Sequence, residues 1–301
     1  MLRILGRTKT EVIFHAAAYK HVPVMEAYPV AAADNNVLGT SSVVRAAAQL
    51  GIEHFVLIST DKAVNPSSVM GASKRAAELV VCAVAESAMP RRNYISVRFG
   101  NVLGSTGSVV PIFESQISRG GPVTVTHPEM KRYFMTVREA CQLVLQAFAL
   151  AEEREVFVLD IGKPVRIVDL ARTMIQFAGL MPDRDIEIRY TGLRPGEKMH
   201  EELNTQGEAY MATSNPKIKI LRHAHHSNGE TLRWLGELEG LVTARDCAGI
   251  LSHLQRLIPE YCIVEVPGMT GLRGWSDSSL VASGAPEVLE VAESPWAHAR
   301  S

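Results

Sequence analysis

The sequence predicts an α/β protein: a doubly wound parallel sheet with a smaller α/β lobe toward its carboxyl-terminal side. Three observations predict it. Short apolar runs of strand length alternate with helical stretches, those stretches are long enough to carry crossovers between parallel strands, and polar residues gather just after the strands. Glu11-Val-Ile-Phe-His-Ala16 is an apolar run suited to a buried parallel strand. An Ala-rich helical pattern runs from Val30 to Leu50 and stops at Gly51, where a left-handed C-terminal turn is expected. His54 to Ser59 reads as the next strand, Ser73 to Ser87 as the next helix, and Tyr94 to Arg98 as the strand after it. Beyond Gly100 the pattern loosens into a helix over Val110 to Arg119, a longer one over Val137 to Ala151, a strand over Val156 to Ile161 and a helix over Val168 to Ala178. These later segments are expected to build the smaller lobe.

Composition narrows the class of function. The chain has 301 residues, 47% hydrophobic and 21% charged, which is the make-up of an ordinary globular protein with room for a sizeable core. A net charge of -1 leaves no footprint for nucleic acid or an acidic membrane surface. Cys82, Cys141, Cys247 and Cys262 are scattered without metal-ligand or disulfide-framework spacing, which fits a reducing cytoplasm. There is no apolar run long enough to span a bilayer, and the first residues are too short for a signal-peptide core.

Charge divides the chain. No lysine follows Lys219, and beyond Arg222 acidic residues outnumber basic ones. Residues 1–222 are therefore read as the functional domain and 223–301 as an extension. The stretch from Pro267 to Ser301 mixes Gly, Pro, Ser and acidic residues without periodicity, so it is expected to be disordered.

In an open parallel sheet, ligands sit beyond the carboxyl ends of the strands. The three early strands run into His15-Ala-Ala-Ala-Tyr-Lys20, Ser59-Thr-Asp-Lys62 and Phe99-Gly-Asn101-Val-Leu-Gly104-Ser-Thr-Gly107. One polar loop is ordinary. Three in succession point to a site.

These segments, with Asn36-Val-Leu-Gly-Thr40, Met70-Gly-Ala-Ser-Lys74 and Arg98-Phe-Gly-Asn-Val102, resemble the extended short-chain dehydrogenase/reductases. More narrowly, they are similar to the nucleotide-sugar 4,6-dehydratases of the CapD-like polysaccharide biosynthesis family. Arg132-Tyr-Phe-Met-Thr136 and Arg194-Pro-Gly-Glu-Lys198-Met-His-Glu-Glu-Leu203 carry the match to about residue 204. The resemblance implies a Rossmann-like fold, NAD or NADP as cofactor and a UDP-sugar substrate, with UDP-N-acetylglucosamine converted to a UDP-4-keto-6-deoxy sugar.

Two departures bear on that implication. Family members begin with a strand and a glycine-rich turn that holds the cofactor pyrophosphate, and nothing of that kind precedes Val12. The chain is thus expected to lack its first βαβ units and to present an exposed apolar edge where another chain, or a second copy, could pair. By itself it is expected to be inactive or nearly so, because the cofactor carries the hydride step. The Gly100 to Gly107 loop imitates the missing turn but comes too late in the fold, and the resemblance turns it toward substrate. The second departure is Met70, which stands where the reductases place a tyrosine four residues before Lys74. A thioether moves no proton, so another group must do that work. The same methionine is familiar in the long, membrane-anchored branch of the dehydratases, so a parent protein at the inner face of a membrane is implied.

The resemblance makes Thr60, Asp61 and Lys62 the catalytic cluster. Elimination of water across C5 and C6 needs a base at C5 and an acid at the C6 hydroxyl. Lys62 suits the base if its surroundings lower its pKa, and Asp61 the acid if its pKa is raised. Ala16, Ala17 and Tyr19 would line the dinucleotide, and Lys74 would hold the nicotinamide ribose. Lys20 and Asn101 would lie at the sugar, Arg194 at the diphosphate and Glu197 at the uridine ribose. His127, His200, His223, His225 and His226 are read as loop or surface residues, with no metal expected. A 4-epimerase and a non-catalytic remnant stay open as alternatives, the first disfavoured by Thr60-Asp61-Lys62, the second favoured by the missing turn.

Overall fold

A computed structural model of the chain describes residues 1–87, 93–152, 154–202, 209–222 and 228–262. It opens with α1 (Leu2–Arg7), β1 (Val12–His15), α2 (Val22–Ala27) and α3 (Pro29–Ala32), and a π-helical stretch, Ala33–Gly39, runs on into α4 (Thr40–Gln49). Next come β2 (His54–Ile58), a 3₁₀ turn at Asp61–Ala63, α5 (Val69–Ser87), β3 (Asn93–Arg98), β4 (Asn101–Val102) and α6 (Val109–Ser118). Then follow β5 (Val123–Val125), β6 (Lys131–Arg132), β7 (Phe134–Met135), α7 (Val137–Leu150), β8 (Val156–Leu159), β9 (Val165–Arg166) and α8 (Ile167–Phe177). The last elements are β10 (Ile188–Tyr190), β11 (Ala209–Ala212), β12 (Ile218–Arg222), α9 (Asn228–Thr243) and α10 (Cys247–Leu257).

Among the described residues the main sheet runs β1-β2-β3-β8-β12-β11. The first four strands are parallel, and β12 and β11 add antiparallel pairs at the far side. The parallel part follows from composition. Phe55, Val56 and Leu57 of β2 are fully buried, as a strand covered on both faces must be. Side chains alternate between faces. Phe55, Leu57 and Tyr94 enter one core with α5, and Val56, Ile95 and Val97 enter the other with Ala140, Leu143, Val144 and Ala147 of α7. A third apolar cluster, from Phe113 and Ile117 of α6, Val123 and Val125 of β5, and Ala171 and Ile175 of α8, forms a smaller lobe, but α7 and β8, which were expected in it, belong to the main sheet and its cover instead. There β5 pairs in parallel with β10.

Two further features differ from the sequence reading. The body runs past Arg222: Met1–Val266 is one compact unit, and Trp234, Leu235 and Leu238 of α9, with Ile250 and Leu254 of α10, share the core of α4 and α5. The boundary at Arg222 rested on surface charge, which says little about what a helix buries. The expected disorder of Pro267 to Ser301 lies outside the described residues. The long helix over Val30 to Leu50 also carries a π-helical segment, where buried Asn36 turns inward. At the free side of the sheet, β1 has no outer neighbour among the described residues, and Phe14 is 44% exposed against the ring of Phe148.

Candidate active site

The carboxyl ends of β1, β2 and β3 open onto a cavity of about 460 Å³. Its wall includes Ala16, Tyr19 and Lys20 after β1, Thr60 and Lys62 after β2, and Gly100 and Asn101 after β3. Met70 and Lys74 enter from α5, and Arg194 and Glu197 from the loop after β10. Three stretches of chain separated by whole helices thus meet because parallel strands end on one side of the sheet. Ala17 does not reach the wall, and neither does Asp61, which lies just beneath it at 2% exposure.

The loop after β1 is pinned by Asn36. Its Oδ1 accepts from the Tyr19 backbone N–H at 2.7 Å, while its amide donates to the Tyr19 carbonyl and to Ser73 Oγ. The π-helical stretch aims this side chain between loop and α5, a use to which such bulges are often put. His15, buried at the end of β1, contacts Thr40 Oγ1 at 3.0 Å. Burial, and then the charge of Lys74, lowers its pKa to about 4, so it stays neutral.

After β2 the chain makes one 3₁₀ turn. Thr60 caps it, with Oγ1 accepting from the Lys62 N–H at 3.3 Å and donating to Asp61 Oδ1 at 2.9 Å. Lys62 Nζ donates to the same Oδ1 at 2.9 Å and to Asn101 Oδ1 at 3.1 Å. Gly71 permits this packing. A Cβ there would collide with the Lys62 carbonyl oxygen. Lys62 does not meet the condition set for it from sequence. Burial alone would lower its pKa, but the Asp61 and Glu201 carboxylates outweigh burial and raise it above the ordinary lysine value. Lys62 therefore rests as an ammonium.

Lys74 Nζ donates to the Ile58 carbonyl at 2.7 Å, and burial, partly offset by Glu78, brings its pKa down to about 8. Met70 lies on the wall in the same α5 turn, 3% exposed, with no proton to give. Beneath them Glu78 accepts from Arg98, Arg75 and Ser59, tying α5 to β2 and β3.

The chain matches a family described as "Polysaccharide biosynthesis protein" over residues 1–223. It belongs to that family. It is 53% identical over 220 residues to the probable polysaccharide biosynthesis protein EpsC of Bacillus subtilis, covering 73% of this chain and 36% of that one. It is 55% identical over 218 residues to the capsular polysaccharide biosynthesis protein CapD of Staphylococcus aureus, covering 72% and 36%. The chain thus spans about a third of the length of these two relatives. The structure of Pen from Bacillus thuringiensis aligns with a TM-score of 0.67 at 34% identity, covering 73% of this chain and 70% of that one. A UDP-glucose 4-epimerase from Thermotoga maritima, solved with UDP-glucose, shares the fold at TM-score 0.57 and 20% identity, over 68% and 70% of the two chains. The Rossmann-like fold expected of this polysaccharide biosynthesis protein is the one observed.

Arg132 and Glu201 are among the charged wall residues that escaped the sequence reading. Arg132, 6% exposed, donates to the Lys198 and Met199 carbonyls. Glu201, 7% exposed, sits with Oε1 3.8 Å from Lys62 Nζ and 3.6 Å from Arg132 Nε. Both belong to segments that carried the resemblance, and their burial is the signal that sequence lacks. Glu197 is turned onto its own loop, accepting from the Arg194 N–H at 3.3 Å, with Arg132 4.0 Å away. His127 accepts from the Glu129 N–H, His200 is exposed, and His223, His225 and His226 lie outside the described residues. No group of three metal-ligating side chains gathers among the described residues. No described helix is long and apolar enough to cross a membrane.

Proposed function

We propose that this polysaccharide biosynthesis protein is a nucleotide-sugar 4,6-dehydratase, converting UDP-N-acetylglucosamine to a UDP-4-keto-6-deoxy sugar. The observation that carries the reading is the Thr60–Asp61–Lys62 cluster. It places a hydroxyl backed by a buried carboxylate beside an amine on one wall of the cavity. The reading covers the sugar-handling part of a longer activity, since the relatives are longer than the matched segment.

The residues fit one end of a dinucleotide. Ala16 offers a small exposed surface that backbone or ring can approach, Ala17 and Tyr19 flank it, and Lys74 is positioned to donate to ribose hydroxyls. NAD and NADP are both compatible with this end. A bound nicotinamide supplies the removal of a hydride from C4 and its return to C6.

The protons can then be followed through this chain's own groups. Thr60 Oγ1 receives the O4 proton as it passes its own to Asp61 Oδ1, along the 2.9 Å bond already present. This supplies the acceptor that Met70 cannot be. Lys62, as free amine, takes the C5 proton. Asp61 gives its proton back through Thr60 to the C6 oxygen, which leaves as water, and Lys62 returns a proton to C5. One water is lost and each group ends as it began. Lys20 and Asn101 hold the sugar, with Arg194 at the diphosphate and Glu197 at the uridine ribose.

The test separates the elimination chemistry from hydride transfer. A UDP-4-keto-6-deoxy sugar incubated with the chain in D₂O should gain deuterium at C5 without any hydride step. Lys62→Ala should slow that exchange by about 10²–10⁴-fold while leaving UDP-sugar affinity within a few-fold. Incubation with UDP-N-acetylglucosamine and NAD or NADP then tests the whole reaction, for which the chain by itself is expected to be inactive or nearly so. A C4-epimerised product without C5 exchange would make the chain an epimerase, and absence of UDP-sugar binding would make it a non-catalytic module.

A further inference from the structure

Resting on the dehydratase reading, one step lacks an agent. Lys62 must shed a proton before it can take one from C5, yet Asp61 beside it is reserved for the Thr60 relay. Among the described residues, the side-chain oxygens that face Lys62 Nζ are Asp61 Oδ1 at 2.9 Å, Asn101 Oδ1 at 3.1 Å and Glu201 Oε1 at 3.8 Å. Asn101 accepts a hydrogen bond but not a proton. Glu201 belongs to a different stretch of chain from the Thr60 relay, lines the cavity, and is 7% exposed. Its Oε2 is buried without a hydrogen-bond partner among the described residues. A carboxylate held this way has one oxygen facing two cations and another left unpaired among the described residues.

We propose that Glu201 is the positioning residue that takes the ammonium proton of Lys62 when substrate fills the cavity, leaving Lys62 as the free amine. The N–H bond of Lys62 breaks and an O–H bond forms on Glu201. A cation and an anion become two neutral groups, and the proton returns by the same route at the end of the cycle.

The direction of transfer follows from desolvation. The Lys62 side chain is 20% exposed, so solvent reaches one member of this 3.8 Å ion pair, and expelling that solvent penalises both charged forms at once. Burial already raises the Glu201 pKa, against the opposing pull of Lys62, Arg132 and Lys198, with Asp61 adding to the rise. These are the charged groups that face it. Transfer across 3.8 Å requires the bound sugar to shorten the gap or a water to bridge it, as catalytic contacts commonly tighten on binding.

The experiment uses the full chain with ¹³C-labelled glutamate, the Glu201 carboxyl being assigned by its loss in Glu201→Gln. At neutral pH the Glu201 signal is expected at the carboxylate position in the free chain, moving toward the protonated position when a UDP-4-keto-6-deoxy sugar is added. A signal that does not move, or that is protonated before ligand is added, overturns the proposal. In the D₂O assay, Glu201→Gln should slow C5 exchange by about 10²-fold near neutrality and recover about tenfold per pH unit as solvent strips the proton instead. Glu201→Asp should restore part of the rate. A loss equal at every pH would mark Glu201 as merely structural and overturn the assignment. If the wild-type chain shows the carboxyl shift but no C5 exchange, the dehydratase reading falls and the proton transfer stands.

Discussion

Lys74 shows how a single charge is held against its own preference. The residue is 5% exposed and its ammonium is bonded to a carbonyl, with the Glu78 carboxylate partly offsetting the burial. The folded value of about 8 lies below the ordinary 10.5, so between these values the unfolded chain binds more protons than the folded one. Stability should therefore rise with pH from about 8 to 10.5, and the cost of the buried charge is felt in full below 8. Lys74→Met should remove that slope in urea melts taken across the window. Nicotinamide affinity should fall as pH passes through 8 if the charged form donates to the ribose.

At the scale of elements, α5 is the piece on which the site depends. It carries Met70 and Lys74, closes against the 3₁₀ turn through Gly71, and is fastened to β2 and β3 by Glu78. Burial alone would raise the Glu78 pKa, but Arg98 and Arg75, with the bonds from Arg98 and Ser59, hold it at about 2. A carboxylate depressed from 4.5 contributes stability above that value and loses it as pH falls from 4.5 through 2. Glu78→Gln should cost roughly 3–5 kcal/mol at neutral pH, because Arg98 and Arg75 would lose the carboxylate that faces their buried charges. The acid limb of stability against pH should flatten in the same variant. Chemical denaturation at pH 7, and at steps from pH 4.5 down to 2, checks both.

At the scale of the molecule, α9 and α10 complete the core on the face of the sheet that α4 and α5 cover. Trp234 is 6% exposed and donates from Nε1 to the His253 carbonyl, while His253 Nε2 meets the Trp234 carbonyl, each at 2.8 Å, with the two rings stacked. Trp234→Ala should destabilise the chain by about 3–5 kcal/mol, since it removes a large buried ring and its bond together. A chain ended at Arg222 should uncover apolar surface of α5 and melt below the full chain in calorimetry. Equal melting temperatures would place the boundary at Arg222 after all.

The sequence by itself determined the alternation of strands and helices, the parallel sheet, the presence of a smaller lobe though not its members, and the three polar loops, because burial on both faces demands apolar runs and strand ends must carry the polar residues. Lys62, Thr60 and Asn101 were legible as neighbours for that reason, lying at equivalent ends of adjacent strands. Tertiary structure decided the rest. Glu201 and Arg132 are far from Lys62 in sequence, and only the folded chain buries their charges together on one wall. The rise in the Lys62 pKa came from that same meeting of charges, which no local spacing encodes. Helices α9 and α10 looked like an extension because charge reports on the surface, whereas membership of a core depends on the face that another element offers to be covered.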